Sequence, residues 1–414
     1  MKVSGFRNDA KGSVAIITAI TFFLLLGAVG GAIDFGKTFF DRNRAQNVLD
    51  AGILAAASDY QVKGDREHAE LTGKNVIRSH DDGSSIYNPA FTFSDKHVTG
   101  TIASGTRTYF LNVLGFSRML WSVSSTARYL EPPAMDYALA IDISSSMRNG
   151  GHMGVLRQAL EDFASEAFKN VRHGNVSVSL VPFANSVAFP TKFVTWLAGP
   201  PKGRFNGCFY QEPRESLASL GTAHVGGYTA TPDIVASNGY RLCPEAGTRI
   251  SFYSDTEGRL KQEIRSLDSY QGTATATGLS WAWRTLDPSW QKEFKESGKY
   301  PRAYGARNKK VVILFTDGNP YLKLWTNKKQ SNEDKDAQRA VALEDFQAVC
   351  KAIQADGRID LFVIGYGSSL DNSEKVVLRN CIAARGKYLD ADSGNLGVVL
   401  QTIARLTSEI ALTQ

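Results

Sequence analysis

The chain has 414 residues, of which 43% are hydrophobic and 21% charged, with a formal net charge of +6. This suits two or three folded domains, and the positive charge is dispersed, with no basic run interleaved with aromatics to suggest a nucleic-acid partner. Cys208, Cys243, Cys350 and Cys381 form no CxxC pair, which argues against a zinc ribbon.

The first element is an apolar run. Gly12 to Ile33 contains no charged residue and includes Phe22-Phe23-Leu24-Leu25-Leu26, and about 20 apolar residues span a bilayer as a helix. Lys2, Arg7 and Lys11 precede it against Asp9 alone, which predicts a cytoplasmic N-terminus with the remainder outside the cytoplasm. Two readings stand: a retained anchor, or a cleaved signal peptide using the small residues Gly30, Gly31 and Ala32. The retained anchor is favoured because the run exceeds a signal h-region and the helical pattern continues. Asp41 to Ser58 lacks proline, and Val48, Leu49, Ala51, Ile53 and Ala55 to Ala56 form an apolar stripe. The expected first region is therefore 1–58, with a membrane helix at about 12–33 and a helical stalk.

Asp59 to His80 reads as the end of the stalk or a loop. Phe91 to Phe93 and Val98 to Ile102 predict strands, Thr106 to Leu114 a short amphipathic helix, and Leu120 to Tyr129 a further strand. This gives a small α+β segment over 59–132, closed by Pro132-Pro133.

From Met135 strands alternate with helices. Strands are predicted into Asp142 and at Val176 to Pro182, Val311 to Phe315 and Ile359 to Ile364. Helices are predicted at Met153 to Phe168, Gly278 to Leu286, Gln338 to Ile353 and Leu396 to Leu412. The alternation implies an α/β fold, a doubly wound and mainly parallel sheet with helices on both faces. A Gly- and Pro-punctuated insertion at about 190–270 interrupts the 133–414 domain.

Three strand-to-loop junctions carry the candidate chemistry. Tyr137 to Ile141 runs into Asp142-Ile143-Ser144-Ser145-Ser146, where a carboxylate and two hydroxyls alternate at a strand's carboxyl end, the edge where open α/β sheets place ligands. Gly272-Thr273 and Thr316-Asp317-Gly318 bring a hydroxyl and a second acid to the same edge. An all-oxygen set suits a hard cation. Separately, Asp142 and Ser144 or Thr273 and Thr277 read equally as helix caps, and Asp317-Gly318 as a turn. The six histidines show no ligand spacing and no identifiable base accompanies the serines, so no enzyme is expected.

Taken in order, these junctions resemble the metal-ion-dependent adhesion site (MIDAS) of the von Willebrand factor A domain. The resemblance assigns Asp142, Ser144, Ser146, Thr273 and Asp317 to a Mg²⁺ site (Mn²⁺ or Ca²⁺ as alternatives). The hydroxyls would contact the ion, and the aspartates would act directly or through water. A further coordination position would take a partner's acidic group. The whole chain resembles the TadG-like proteins of the Tad/Flp pilus-assembly system, through Gly12-Ser13-Val14-Ala15-Ile16 and Gln46 to Ala57, with Val181-Pro182-Phe183, Gly278 to Trp283 and Phe362 to Gly365 in the large domain. Pilin-type processing expects Glu five residues past the cleavage glycine, whereas Ile17 stands five past Gly12.

The resemblance implies a non-catalytic pilus assembly or adhesion protein of the bacterial inner membrane, with its bulk periplasmic or extracellular. Its partners would be other pilus components or a surface ligand offering a carboxylate. The alternative is a purely structural, minor-pilin-like envelope protein whose site binds nothing. In that oxidising setting the expected bridges are Cys208–Cys243 and Cys350–Cys381.

Overall fold

The computed structural model describes residues 11–80, 87–94, 96–129, 133–169, 171, 173–190, 208–211, 214–221, 229–230, 244, 248–292, 294, 299–305, 307–318, 331–367, 370 and 372–412. The chain divides into two compact units, Met1–Glu131 and Pro132–Gln414.

In the first unit, helix α1 (Lys11–Lys63) runs 53 residues without a break, about 80 Å at 1.5 Å per residue. Its N-terminal portion is the one helix among the described residues long and apolar enough to cross a membrane. Ile16, Phe23, Leu24 and Val29 there are exposed. Farther along, Ala45, Val48, Leu49, Ile53 and Ala56 recur every three to four residues and are buried, the spacing of a helix with one packed face. Helix α2 (Arg66–Ser79) starts where the Asp65 carboxylate accepts the N–H groups of Glu67 and His68, and it adds Ile77 to the same core. The segment expected as a stalk end or loop is thus the last turn of α1 followed by a separate helix.

Strands β1 (Ala90–Ser94), β2 (His97–Arg107) and β3 (Arg118–Arg128) form an antiparallel meander. Val98, Ile102, Val123 and Ala127 alternate onto the face that packs with Leu49 and Ile53. The amphipathic helix expected over Thr106 to Leu114 is absent. Thr106 and Arg107 complete β2, and Leu111–Leu114 is a single 3₁₀ turn. The apolar residues that suggested a buried helical face, Tyr109, Phe110, Val113 and Leu114, are exposed.

The second unit is the expected α/β fold. Parallel strands β4 (Ala134–Asp142), β5 (Val176–Phe183), β10 (Asn308–Thr316), β11 (Asp360–Tyr366) and β12 (Tyr388–Ala391) take the order β12-β11-β10-β4-β5. Short antiparallel strands β6 (Val187–Ala188), β7 (Cys208–Gln211) and β8 (Thr229–Ala230) extend the β5 side, and β9 (Ser251–Ser254) also pairs with β5. Both faces of the central strands are buried, which explains their unbroken apolar runs. Ala138, Ala140, Val312 and Leu314 face one layer, with Leu279 and Leu286 of α6 (Thr275–Leu286), Phe346 and Val349 of α7 (Asn332–Asp356), and Leu378 of α8 (Asn372–Arg379). Leu139, Ile141, Ile313 and Phe315 face the other. There they meet Leu156 and Phe163 of α3 (His152–Ala167), Leu260 of α5 (Glu257–Arg265) and Leu400 of α9 (Leu396–Leu412).

The insertion ends earlier than expected. From β9 onward the chain is already core: Phe252 is buried, and α5 packs on α3. Helix α4 (Arg214–Leu217) lies within the insertion, and Arg284 of α6 reaches it by donating to the Ser216 carbonyl. Cys350 and Cys381 form the expected disulfide, with Cα atoms 4.9 Å apart. Cys208 is also disulfide-bonded; its expected partner, Cys243, lies outside the described residues.

Candidate metal centre

The register of the sheet brings the two aspartates together. β4 and β10 pair in parallel with Ile141 opposite Phe315, so Asp142, Thr316 and the following Asp317 leave the sheet at one level. A 3₁₀ turn, Ser145–Gly151, follows β4. Asp142 Oδ1 accepts the N–H of Ser144 at 2.9 Å, and its Oδ2 accepts the Thr316 hydroxyl at 2.7 Å. Ser144 Oγ lies 2.9 Å from Ser146 Oγ and donates to Asp317 Oδ1 at 3.2 Å. Asp142, Ser144 and Asp317 are buried, whereas Ser146 is exposed and opens the group to solvent.

Thr273 arrives from a loop sewn to the same edge. Tyr270 N–H donates to the Ile143 carbonyl at 2.8 Å, Asn185 N–H to Gln271 O at 2.7 Å, and Ala274 N–H to Ala184 O at 2.6 Å. Gly272 has φ +84°, and a Cβ there would fall 2.5 Å from Asn185 Oδ1; only glycine permits that approach. Thr273 is largely buried, and among the described residues no hydrogen bond joins its side chain to the other four positions. The structure therefore unites Asp142, Ser144, Ser146 and Asp317 in one network and holds Thr273 on the adjoining loop.

The helix-cap readings fare unequally. α6 has Ala274 at its N-cap and α3 has Gly151, neither with a side-chain cap bond, so neither Thr273 nor Ser144 caps these helices. Asp142 does close a local turn through Ser144 N–H, but only with one oxygen.

Burial and the neighbouring Asp317 charge push the Asp142 carboxyl up to about 7, against the hydrogen bonds from Thr316 and Ser144. Burial also raises Asp317, opposed by hydrogen bonds from Ser146 and Ser144 and by the charge of His152. Two carboxyls confined together resist full ionisation, and among the described residues no basic side chain forms an ion pair with Asp142. That is the electrostatic condition a divalent cation relieves. The donors are carboxylates and hydroxyls, which fit Mg²⁺ or a similar hard ion. Among the described residues no cluster of three or more His, Cys, Asp or Glu side chains gathers in a metal-holding group.

Two residues at this edge had no role assigned from the sequence. Thr316 orients Asp142, and its signal was its place beside Asp317 at the end of an apolar run. Tyr366, the last residue of β11, is 1% exposed, and its hydroxyl has no hydrogen-bond partner among the described residues. Its ring packs 5.3 Å from those of His152 and Phe315.

Residues 12–59 match the family model described as "Putative Flp pilus-assembly TadE/G-like". No curated protein matches the chain. Among solved structures, the pilus adhesin SpaC of Lactobacillus rhamnosus GG (open conformation) aligns at 14% identity and TM-score 0.37, over 79% of this chain and 34% of SpaC. This chain therefore spans about a third of that adhesin's length. The vWF domain of the type V pili tip protein Mfa5 of Porphyromonas gingivalis aligns at 13% identity and TM-score 0.38, covering 67% of this chain and 95% of that one. The pilus adhesin RrgA of Streptococcus pneumoniae aligns at 8% identity and TM-score 0.34, over 78% of this chain and 48% of that one.

Proposed function

We propose that this chain is a membrane-anchored, non-catalytic assembly or adhesion component of a Tad/Flp-type pilus. Its α/β unit would hold Mg²⁺ among Asp142, Ser144, Ser146, Thr273 and Asp317 and grip an acidic partner there. The family match over residues 12–59 supports the pilus assignment, and the apolar start of α1 supports a single-pass anchor. One observation carries the metal reading: Ser144 links a fully buried Asp142 to Asp317, its N–H donating to the first and its hydroxyl to the second, and both carboxyls are shifted upward. When bound, the cation would supply a Lewis-acidic position for a carboxylate. This chain's residues do the rest. Thr316 and the Ser144 N–H orient Asp142, Ser144 ties the two junctions together, and exposed Ser146 marks the side from which a partner enters.

No imidazole hydrogen-bonds Ser144 or Ser146 among the described residues: the His152 ring meets Tyr366 edge to face instead. The hydroxyl of Ser144 is engaged by Asp317 and not by a histidine, an arrangement that favours binding over the serine–histidine pairing of acyl transfer. The test is capture of the full chain, in detergent, on a surface bearing a glutamate-rich peptide. Retention is expected in Mg²⁺ and loss in EDTA, and the Asp142→Asn and Asp317→Asn variants should not be retained in either. Equal retention with and without Mg²⁺ would refute the cation-dependent grip, and no retention in either would favour the purely structural alternative.

A further inference from the structure

We infer that the turn between β2 and β3, residues 109–116, is a second membrane contact: an apolar wedge seated in the lipid leaflet beside α1. The inference rests on the anchor reading of α1 and goes beyond it. Tyr109, Phe110, Val113, Leu114 and Phe116 stand on one short turn, and Val113 is 81% exposed; Leu120, just inside β3, is 83% exposed. An apolar group this concentrated on a turn marks an interaction surface.

Its position names the partner. The Gly30 Cα faces the Phe110 ring so closely that a Cβ would fall 2.5 Å from it. An apolar groove separates Ile20, Phe23 and Gly27 of α1 from Phe110, Val113 and Leu114. The turn thus lies along the very residues of α1 that are exposed for lipid. From Asp34, where the turn is held, to Leu24, which also lines the groove, is ten residues of helix, about 15 Å and so roughly one leaflet. The apolar surface of the turn continues that of the span, and the groove has the form of an acyl-chain slot.

The backbone is prepared for such a place. Irregular chain tolerates a bilayer only where its polar groups are satisfied. The Asp34 carboxylate accepts the N–H groups of Tyr109, Phe110 and Leu111 at 2.9, 2.9 and 2.8 Å. Val113, Gly115 and Phe116 donate to Phe110, Asn112 and Leu111 carbonyls within the turn. At the rim, Lys37 Nζ sits 4.5 Å over the Tyr109 ring and 3.4 Å from its hydroxyl. An aromatic with a polar tip beside a lysine is the pairing expected at headgroup level.

The test places an environment-sensitive NBD label at Val113→Cys, with Phe116→Cys as a second site and Thr126→Cys, exposed on β3, as reference. The full chain is reconstituted at low protein density in phosphatidylcholine–phosphatidylglycerol vesicles, and the unsubstituted chain labelled in parallel serves as blank. The wedge predicts blue-shifted emission at Val113 and Phe116 and several-fold greater quenching by shallow doxyl lipids than at Thr126. Quenching by aqueous iodide instead, in a chain that resists carbonate extraction, overturns the wedge and leaves the anchor standing. A chain released by carbonate overturns both. Labels shielded from lipid and iodide alike overturn the lipid assignment in favour of a protein partner.

Discussion

Ser144 Oγ donates to Asp317 Oδ1 across 3.2 Å, joining residues 173 positions apart. That contact ties the loop after β4 to the loop after β10 and brings two strand-end acids into one hydrogen-bonded group. Its energetic consequence is a pair of carboxyls that share a buried space, and the predictions for the site follow from that repulsion.

Replacing Asp142 by Asn keeps the shape and removes one charge. In EDTA at neutral pH the variant is expected to melt at or above the temperature of the unsubstituted chain, because a desolvated like charge has gone. The rise in melting temperature that Mg²⁺ gives by mass action is expected to vanish. A purely capping role predicts the opposite in EDTA, a loss on the order of 1 kcal/mol. Thermal denaturation with and without Mg²⁺ separates the two.

The pH dependence has a definite sign. Asp142 titrates near 7 when folded and near its ordinary 3.8 when unfolded, so between these values the folded state binds more protons. Stability of the metal-free chain therefore falls as pH rises through that window. Below about 4 both states are protonated and the penalty is absent. Protons compete with the cation for the same oxygens, so Mg²⁺ affinity rises as pH climbs through about 7. Melting curves from pH 4 to 8 in EDTA, then in Mg²⁺, check both slopes.

In the first unit, Asp34→Ala leaves three N–H groups of the 109–111 backbone without their acceptor. A lost partner of this kind costs about 1–3 kcal/mol. The expected result is a local loosening: amide exchange at Tyr109, Phe110 and Leu111 accelerates at least tenfold, while exchange in β4 and β10 is unchanged.

The Cys350–Cys381 bridge closes a loop with a sequence separation of 31, for which chain entropy gives roughly 3–4 kcal/mol. The Cys350→Ser, Cys381→Ser double variant is expected to lose about that much in denaturant unfolding. Because the bridge joins the end of α7 to the segment before β12 and lies remote from Asp142, Mg²⁺ binding should survive.

The legible parts of the chain were those where one physical demand dominates. Burial on both faces writes Val311 to Phe315 as an unbroken apolar run, and the alternation of Asp142, Ser144 and Ser146 pointed to the polar group that hydrogen-bonds together after β4. Less was legible where tertiary contact decides. Tyr109, Phe110, Val113 and Leu114 have helical spacing, yet the turn they occupy is set by the Asp34 carboxylate, some 75 positions earlier, and exposes them. The two-residue strands β6 and β8 carry no periodicity, and α8 and β12 are too short to announce themselves. Tyr366 came beside Phe315 and His152 only through the register of β11 on β10, which no local window contains.

Calorimetric titration of Mg²⁺ into the full chain in detergent at pH 7.5 measures directly whether the Asp142 and Asp317 junctions hold a cation. The expected result is saturable one-site heat in the unsubstituted chain, weakened at least tenfold in Asp317→Asn and abolished in Asp142→Asn. No heat in the unsubstituted chain, or the same isotherm in all three proteins, would contradict the central claim.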